Sequence, residues 1–222
     1  MANLDDIILA AQECFEEFGE GKATDAAKTP VFRKTLIRFA NEWQKDLGLF
    51  IKYPRKNGTL VNSTEGTAEY SNPSDFVSIV KLFFKVDGDK FKEFEYIHYE
   101  NMAIRFGDEW SSADNGTPEV FYFPNSTQYA VHPKPNTLNS GTGYIKLDYH
   151  NLATPLSESY KTIEVPEGYH QTAQYFIAAK AHEKIGNPAM HDRLMGFYEN
   201  QRLGYKPLIE TRAKQALRMQ WG

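Results

Sequence analysis

Cysteine is almost missing from this chain. Cys14 stands alone among 222 residues, which excludes an internal disulfide framework and any multi-cysteine metal knuckle. An excess of base is missing too: the formal net charge is −4, so the whole molecule has no electrostatic footprint for wrapping nucleic acid. No apolar run reaches the roughly 20 residues of a membrane-spanning helix. The opening Met1-Ala2-Asn3-Leu4-Asp5-Asp6 has no basic n-region and no signal-peptide core. From these absences we expect a protein made and kept in a reducing cytoplasm, or assembled from it. The phosphate-binding patterns G-x-x-x-x-G-K-[ST] and G-x-G-x-x-G are absent, as is the G-x-S-x-G elbow. His182-Glu183 opens like a zinc-binding helix, but Gly186 stands where the second histidine belongs.

What is present is ordinary globular composition. Apolar residues make up 41% and charged residues 24%, enough to build a core in a chain of this length. Leu4, Ile7, Ile8, Ala11, Phe15 and Phe18 recur at helical steps and predict a first helix with one apolar stripe, ended by Gly19 and Gly21. Cys14 beside that stripe reads as a small buried hydrophobe. Thr29-Pro30 is a start signal for a second helix, with Phe32, Leu36, Phe39, Ala40, Trp43 and Leu47 as its stripe and Gly48 as its stop.

From about residue 55 the texture changes. Turn residues cluster at 55–65 and 70–75, and β-branched and aromatic runs follow at 76–86, 90–99, 119–123, 127–132 and 143–150. Val86-Asp87-Gly88-Asp89-Lys90 predicts a hairpin between the first two runs. Asn-Gly-Thr and Asn-Ser-Thr at Asn57, Asn62, Asn115 and Asn125 read as turn chemistry. Helix returns after Pro166, carried by Tyr169, Ala173, Phe176, Ile177, Ala181 and Ile185. Gly186-Asn187-Pro188 breaks it, and a further helix runs to Leu203-Gly204. A last helical segment is predicted from Pro207, with Ile209, Ala213, Ala216 and Leu217 in register. The chain thus reads as α+β. A helical bundle comes from both chain ends (1–54 and 166–206), a mainly antiparallel β-rich module is inserted at 55–165, and a terminal segment follows at 207–222.

Candidates for chemistry are few. Asp148 and His150 fall on one face of a predicted strand, an arrangement common in structural strands. The 15 Phe and 13 Tyr could supply stacking platforms for a sugar or peptide, though aromatic strand cores account for the same residues. We assign no catalytic, cofactor-binding or metal-ligating residue. Charge placement says more than the total. Residues 1–20 sum to −6, whereas 201–222 sum to +4 through Arg202, Lys206, Arg212, Lys214 and Arg218 against Glu210. These are two solvated helix faces or complementary contacts between copies or with an acidic partner. The end of the chain mixes Leu217, Met219 and Trp221 with Lys214 and Arg218, too short for its own core and of the composition that anchors interfaces.

One ordered set of residues carries a likeness. Gly116-Thr117-Pro118 leads into Val120-Phe121-Tyr122. Val131-His132-Pro133-Lys134-Pro135 and Ile145-Lys146-Leu147-Asp148-Tyr149 follow, then Thr154-Pro155-Leu156, Val165-Pro166-Glu167-Gly168-Tyr169 and an Ala-rich helix. Over residues 105–187 this resembles the head-to-tail adaptor, or connector, proteins of tailed bacteriophages. It differs in one place, where the family pattern has a basic residue soon after the strand-ending Tyr and this chain has His150-Asn151-Leu152.

The resemblance implies a structural virion protein without catalysis or cofactor. It would form a ring, typically of twelve copies, at the neck under the portal protein, with assembly in the host cytoplasm. The ring would extend the channel through which DNA passes without sequence-specific binding, and further neck or tail proteins would dock on it. The portal-gripping role of the family's C-terminal segment would fall to Arg212, Lys214, Leu217, Arg218, Met219 and Trp221. The alternative is a carbohydrate- or peptide-binding module that uses the aromatic β insertion.

Overall fold

The computed structural model describes residues 3–17, 30–87 and 90–220. Among them the chain is α+β. Its helices are α1 (Leu4–Glu17), α2 (Pro30–Ile51), α3 (Met102–Phe106), α4 (His170–Lys184) and α5 (Pro188–Gln220). Its strands are β1 (Arg55–Ser63), β2 (Glu69–Ser71), β3 (Phe76–Asp87), β4 (Lys90–Glu93), β5 (Glu95–Tyr96), β6 (Val120–Asn125), β7 (Gln128–His132) and β8 (Gly141–Asn151). The chain divides into two compact units, Met1–Pro54 with Leu152–Gly222, and Arg55–Asn151. No helix among the described residues is long and apolar enough to cross a membrane.

The first unit is helical. Leu4, Ile7, Ile8 and Ala11 of α1 and Leu36, Phe39, Ala40, Trp43 and Leu47 of α2 share one core with Ala173, Phe176 and Ile177 of α4 and Tyr198 of α5. Asn3 starts α1 by accepting from the N–H groups of Asp5 and Asp6, while Asp6 accepts from Asn3 N–H at 2.8 Å, a reciprocal cap of the first turn. Gly19, Gly21, Phe18 and Thr29, read as helix boundaries and stripe, lie outside the described residues. Gly48 does not stop α2, which runs on to Ile51. Closure comes three residues later, where Tyr53 N–H bonds Gly48 O at 3.0 Å across a left-handed Lys52 with φ 52°. Tyr53 O then lies so close that a Cβ on Gly48 would sit 2.7 Å from it, and this is what glycine permits there.

Residues 152–165, expected with the β module, instead form no strand and belong to the helical unit. Leu156 and Val165 enter its core. The side-chain amide of Asn41 donates to Leu156 O at 3.0 Å and accepts from Leu156 N–H at 2.6 Å. One turn along α2, buried Gln44 donates to Thr154 O at 3.0 Å and accepts from Glu164 N–H at 3.2 Å. Two amides on α2 thus satisfy a segment that has no neighbouring strand to bond.

The second unit stacks two four-stranded sheets, ordered β1-β8-β3-β4 and β2-β7-β6-β5, with every pair antiparallel except β5–β6. Alternate residues of β8 (Ile145, Leu147, Tyr149) face Phe121, Tyr129 and Val131 from the other sheet in one core, as period-2 patterning requires. The opposite face of the second sheet presents Val120, Tyr122 and Ala130 to Ile97 and Met102.

Two readings of this region need correction. Residues 55–65 were expected as turn, yet β1 pairs with β8 as an edge strand. Its register shifts between Lys56 and Thr59 leave Gly58 with φ 72°, so Asn57-Gly58 marks a bulge within a strand. The run 90–99 is not one strand: β4 pairs with β3, and after Phe94 the chain crosses to the other sheet as β5. Asp87 pairs with Lys90 in the expected hairpin; its turn residues Gly88 and Asp89 lie outside the described residues.

Candidate docking segment

Asp148, His182 and Glu183 have structural surroundings. The Asp148 carboxylate accepts from Gly58 N–H at 2.7 Å and from Arg55 Nη2 at 3.2 Å, so it pins the β1 bulge. His182 is buried, with its ring 4.4 Å from that of Phe15, and burial holds its pKa below the ordinary value. Glu183 points away and pairs with Lys180 at 3.0 Å. No group of three or more His, Cys, Asp or Glu among the described residues could hold a metal ion.

The segment singled out for partner contact belongs to α5. Gly186 (φ 79°) turns the chain, and Asn187 caps α5 by accepting from Met190 N–H at 3.2 Å. The two helices then run back along each other. Ala178, Ala179 and Leu194 cluster near the turn, and farther along Phe176 meets Tyr198 edge-on at 5.1 Å.

Beyond that point α5 is tied to α2. Arg202 donates to Asp46 at 2.8 Å and to Glu199 at 2.6 Å, and its guanidinium lies 4.4 Å from the ring centre of Phe50. The Tyr198 hydroxyl also donates to Asp46. Burial, then the hydrogen bond to Asp46 and its charge, push its pKa up, so the phenol stays protonated and keeps donating. This anchorage was not read from sequence. Its signal was the i, i+4 spacing of Tyr198 and Arg202, visible only once a single acid on α2 is known to face both.

Past Arg202 the helix continues about 27 Å to Gln220. The expected break at Leu203-Gly204 and restart at Pro207 do not occur. Proline inside a helix loses one hydrogen bond and strains its turn, but ending and restarting would expose several N–H and C=O groups on each side. Arg212, Lys214, Leu217, Arg218 and Met219 therefore lie along the backbone of this terminal stretch of α5, whereas Trp221 lies outside the described residues.

One long helix is thus fastened to the bundle at Arg202 and runs on through a stretch that mixes basic and apolar residues. The profile of the SU10 adaptor protein family matches residues 2–219. The chain belongs to that family of phage head-tail adaptors and is a structural protein of a bacteriophage virion. No curated protein matches it.

Proposed function

We propose that this adaptor assembles as a closed ring, dodecameric in the usual arrangement, on the portal vertex. The bundle closed from both chain ends makes the body of each copy and carries the β module as an insertion. The ring extends the DNA channel and presents the docking surface for further neck or tail proteins. It acts by assembly, without catalysis or cofactor, in the virion neck after association in the host cytoplasm. Copies meet head to tail, the heterologous geometry that closes into rings. The −6 of residues 1–20 and the +4 of residues 201–222 supply complementary charge for such contacts. The overall net charge of −4 favours DNA sliding past without grip.

The observation that carries this reading is the continuation of α5 for about 27 Å beyond its Arg202 anchor. In this reading Arg212, Lys214, Leu217, Arg218, Met219 and Trp221 grip the portal. Deletion of residues 207–222 tests it, with particle mass measured for the protein alone and with its portal ring. The full chain is expected to load the portal with about a dozen copies, and the truncated chain to remain unbound while keeping its circular-dichroism spectrum. Undiminished binding by the truncated chain would refute the docking role.

A further inference from the structure

The outer face of the second sheet of the β unit holds a cleft of about 400 Å³ lined by Glu69, Tyr99, Trp110, Tyr122, His132 and Lys134, within the size range of small-ligand sites. Its walls are aromatic. Trp110 stands edge-on to Tyr99 at 5.7 Å, to Tyr122 at 5.3 Å and to His132 at 5.7 Å.

Two of its linings are nearly buried yet polar: Tyr122 is 4% and His132 6% exposed. Neither the Tyr122 hydroxyl nor the His132 ring has a hydrogen-bond partner among the described residues. The buried side-chain atoms left without a partner do not include theirs, so both groups open onto the cleft, where water or a ligand can bond them. Burial, with Glu69 and Tyr99 beside it, pushes the Tyr122 pKa up to about 12. Burial pulls that of His132 down. Both groups are therefore neutral at pH 7, and each offers a donor and an acceptor.

Glu69 and Lys134 bring opposite charges to the lining, which sum to no preference for a net charge, and together they accept from and donate to a neutral ligand rich in hydroxyls. Ring faces stack against the C–H faces of such a ligand. We propose that this cleft binds a neutral saccharide of one or two sugar units. The Trp110, Tyr99 and Tyr122 rings supply the walls, and Tyr122, His132, Glu69 and Lys134 bond its hydroxyls. This binding is independent of ring assembly and of the α5 docking segment.

The test uses the full-length protein and saturation-transfer NMR with methyl glycosides of glucose, galactose, mannose and N-acetylglucosamine and their β-linked disaccharides. Calorimetry then measures the affinity of those that respond. The expected result is transfer to the ring protons of at least one sugar. Tyr122→Phe and Glu69→Gln should each weaken it about tenfold, the effect of one lost hydrogen bond of the stronger kind. Leu138→Ala, an exposed change outside the cleft lining, should leave it unchanged. Glu69 is exposed, so its variant reads binding even if Tyr122→Phe disturbs the fold. No transfer from any sugar, equal affinity in wild type and both variants, or a response confined to a matched panel of dipeptides would each overturn the assignment.

Discussion

The two units hold themselves together differently. In the helical unit, polar side chains reach across long stretches of sequence to a designated partner. Trp43 Nε1 donates to Thr172 Oγ1 at 3.0 Å, Asn41 clasps Leu156, and Gln44 clasps Thr154 and Glu164. In the β unit the backbone ladders fix register, and the interior between them is filled by stacked rings such as Phe84 on Phe94 at 5.4 Å and Tyr70 on Tyr129 at 5.6 Å. The Tyr129 hydroxyl is buried there with no hydrogen-bond partner among the described residues. A unit built from two distant chain segments must specify how they meet, and directional bonds do that better than apolar contact. A unit built from one continuous segment gets its alignment from strand pairing.

Three substitutions sharpen this contrast, with amide hydrogen exchange read separately over each unit. The largest effect is expected from Trp43→Ala, which removes a fully buried ring and the Thr172 bond, at about 3–5 kcal/mol. Protection should fall in α1, α2, α4 and the anchored part of α5, and stay in the β strands. Equal loss in both units would mean that they unfold as one. Asn41→Ala should cost about 2 kcal/mol by stranding the N–H and C=O of Leu156. A change below about 0.5 kcal/mol, the range of an ordinary surface substitution, would show that water replaces the amide and that the clasp specifies nothing. Tyr129→Phe should shift stability by less than about 0.5 kcal/mol, because the hydroxyl it removes has no bond to lose. A loss of 1 kcal/mol or more, the size of one hydrogen bond, would reveal a partner in solution.

Sequence periodicity made the parts with a repeating burial pattern legible. The stripes of α1 and α2 supply core residues from Leu4 to Leu47, and the Asp-Gly signal correctly joins β3 to β4 as an antiparallel pair. What escaped were elements whose reason lies elsewhere in the chain. The sequence of β1, RKNGTLVNS, has little strand character and depends on β8 beside it. Residues 152–165 depend on two amides more than a hundred positions earlier. The continuity of α5 through Gly204 and Pro207 follows from the cost of new helix ends, which single-residue propensity does not register. The residues proposed for docking rest on composition and likeness, whereas the fastening of the same helix at Asp46 had no signal in the sequence alone. The aromatic cleft was invisible for a related reason: its lining comes from β2, β6, β7 and the turns at Tyr99 and Trp110, and no local motif joins them.

Arg55 and His150, near the two ends of the inserted unit, are register partners in the same antiparallel pair. The points where the chain enters and leaves are therefore about one interstrand spacing apart, roughly 5 Å. Such a junction behaves as a cassette socket. The helical host need only bridge that gap, which a turn of about two to five residues spans. Exchange, enlargement or excision of everything between Pro54 and Leu152 is then a local splice in the chain.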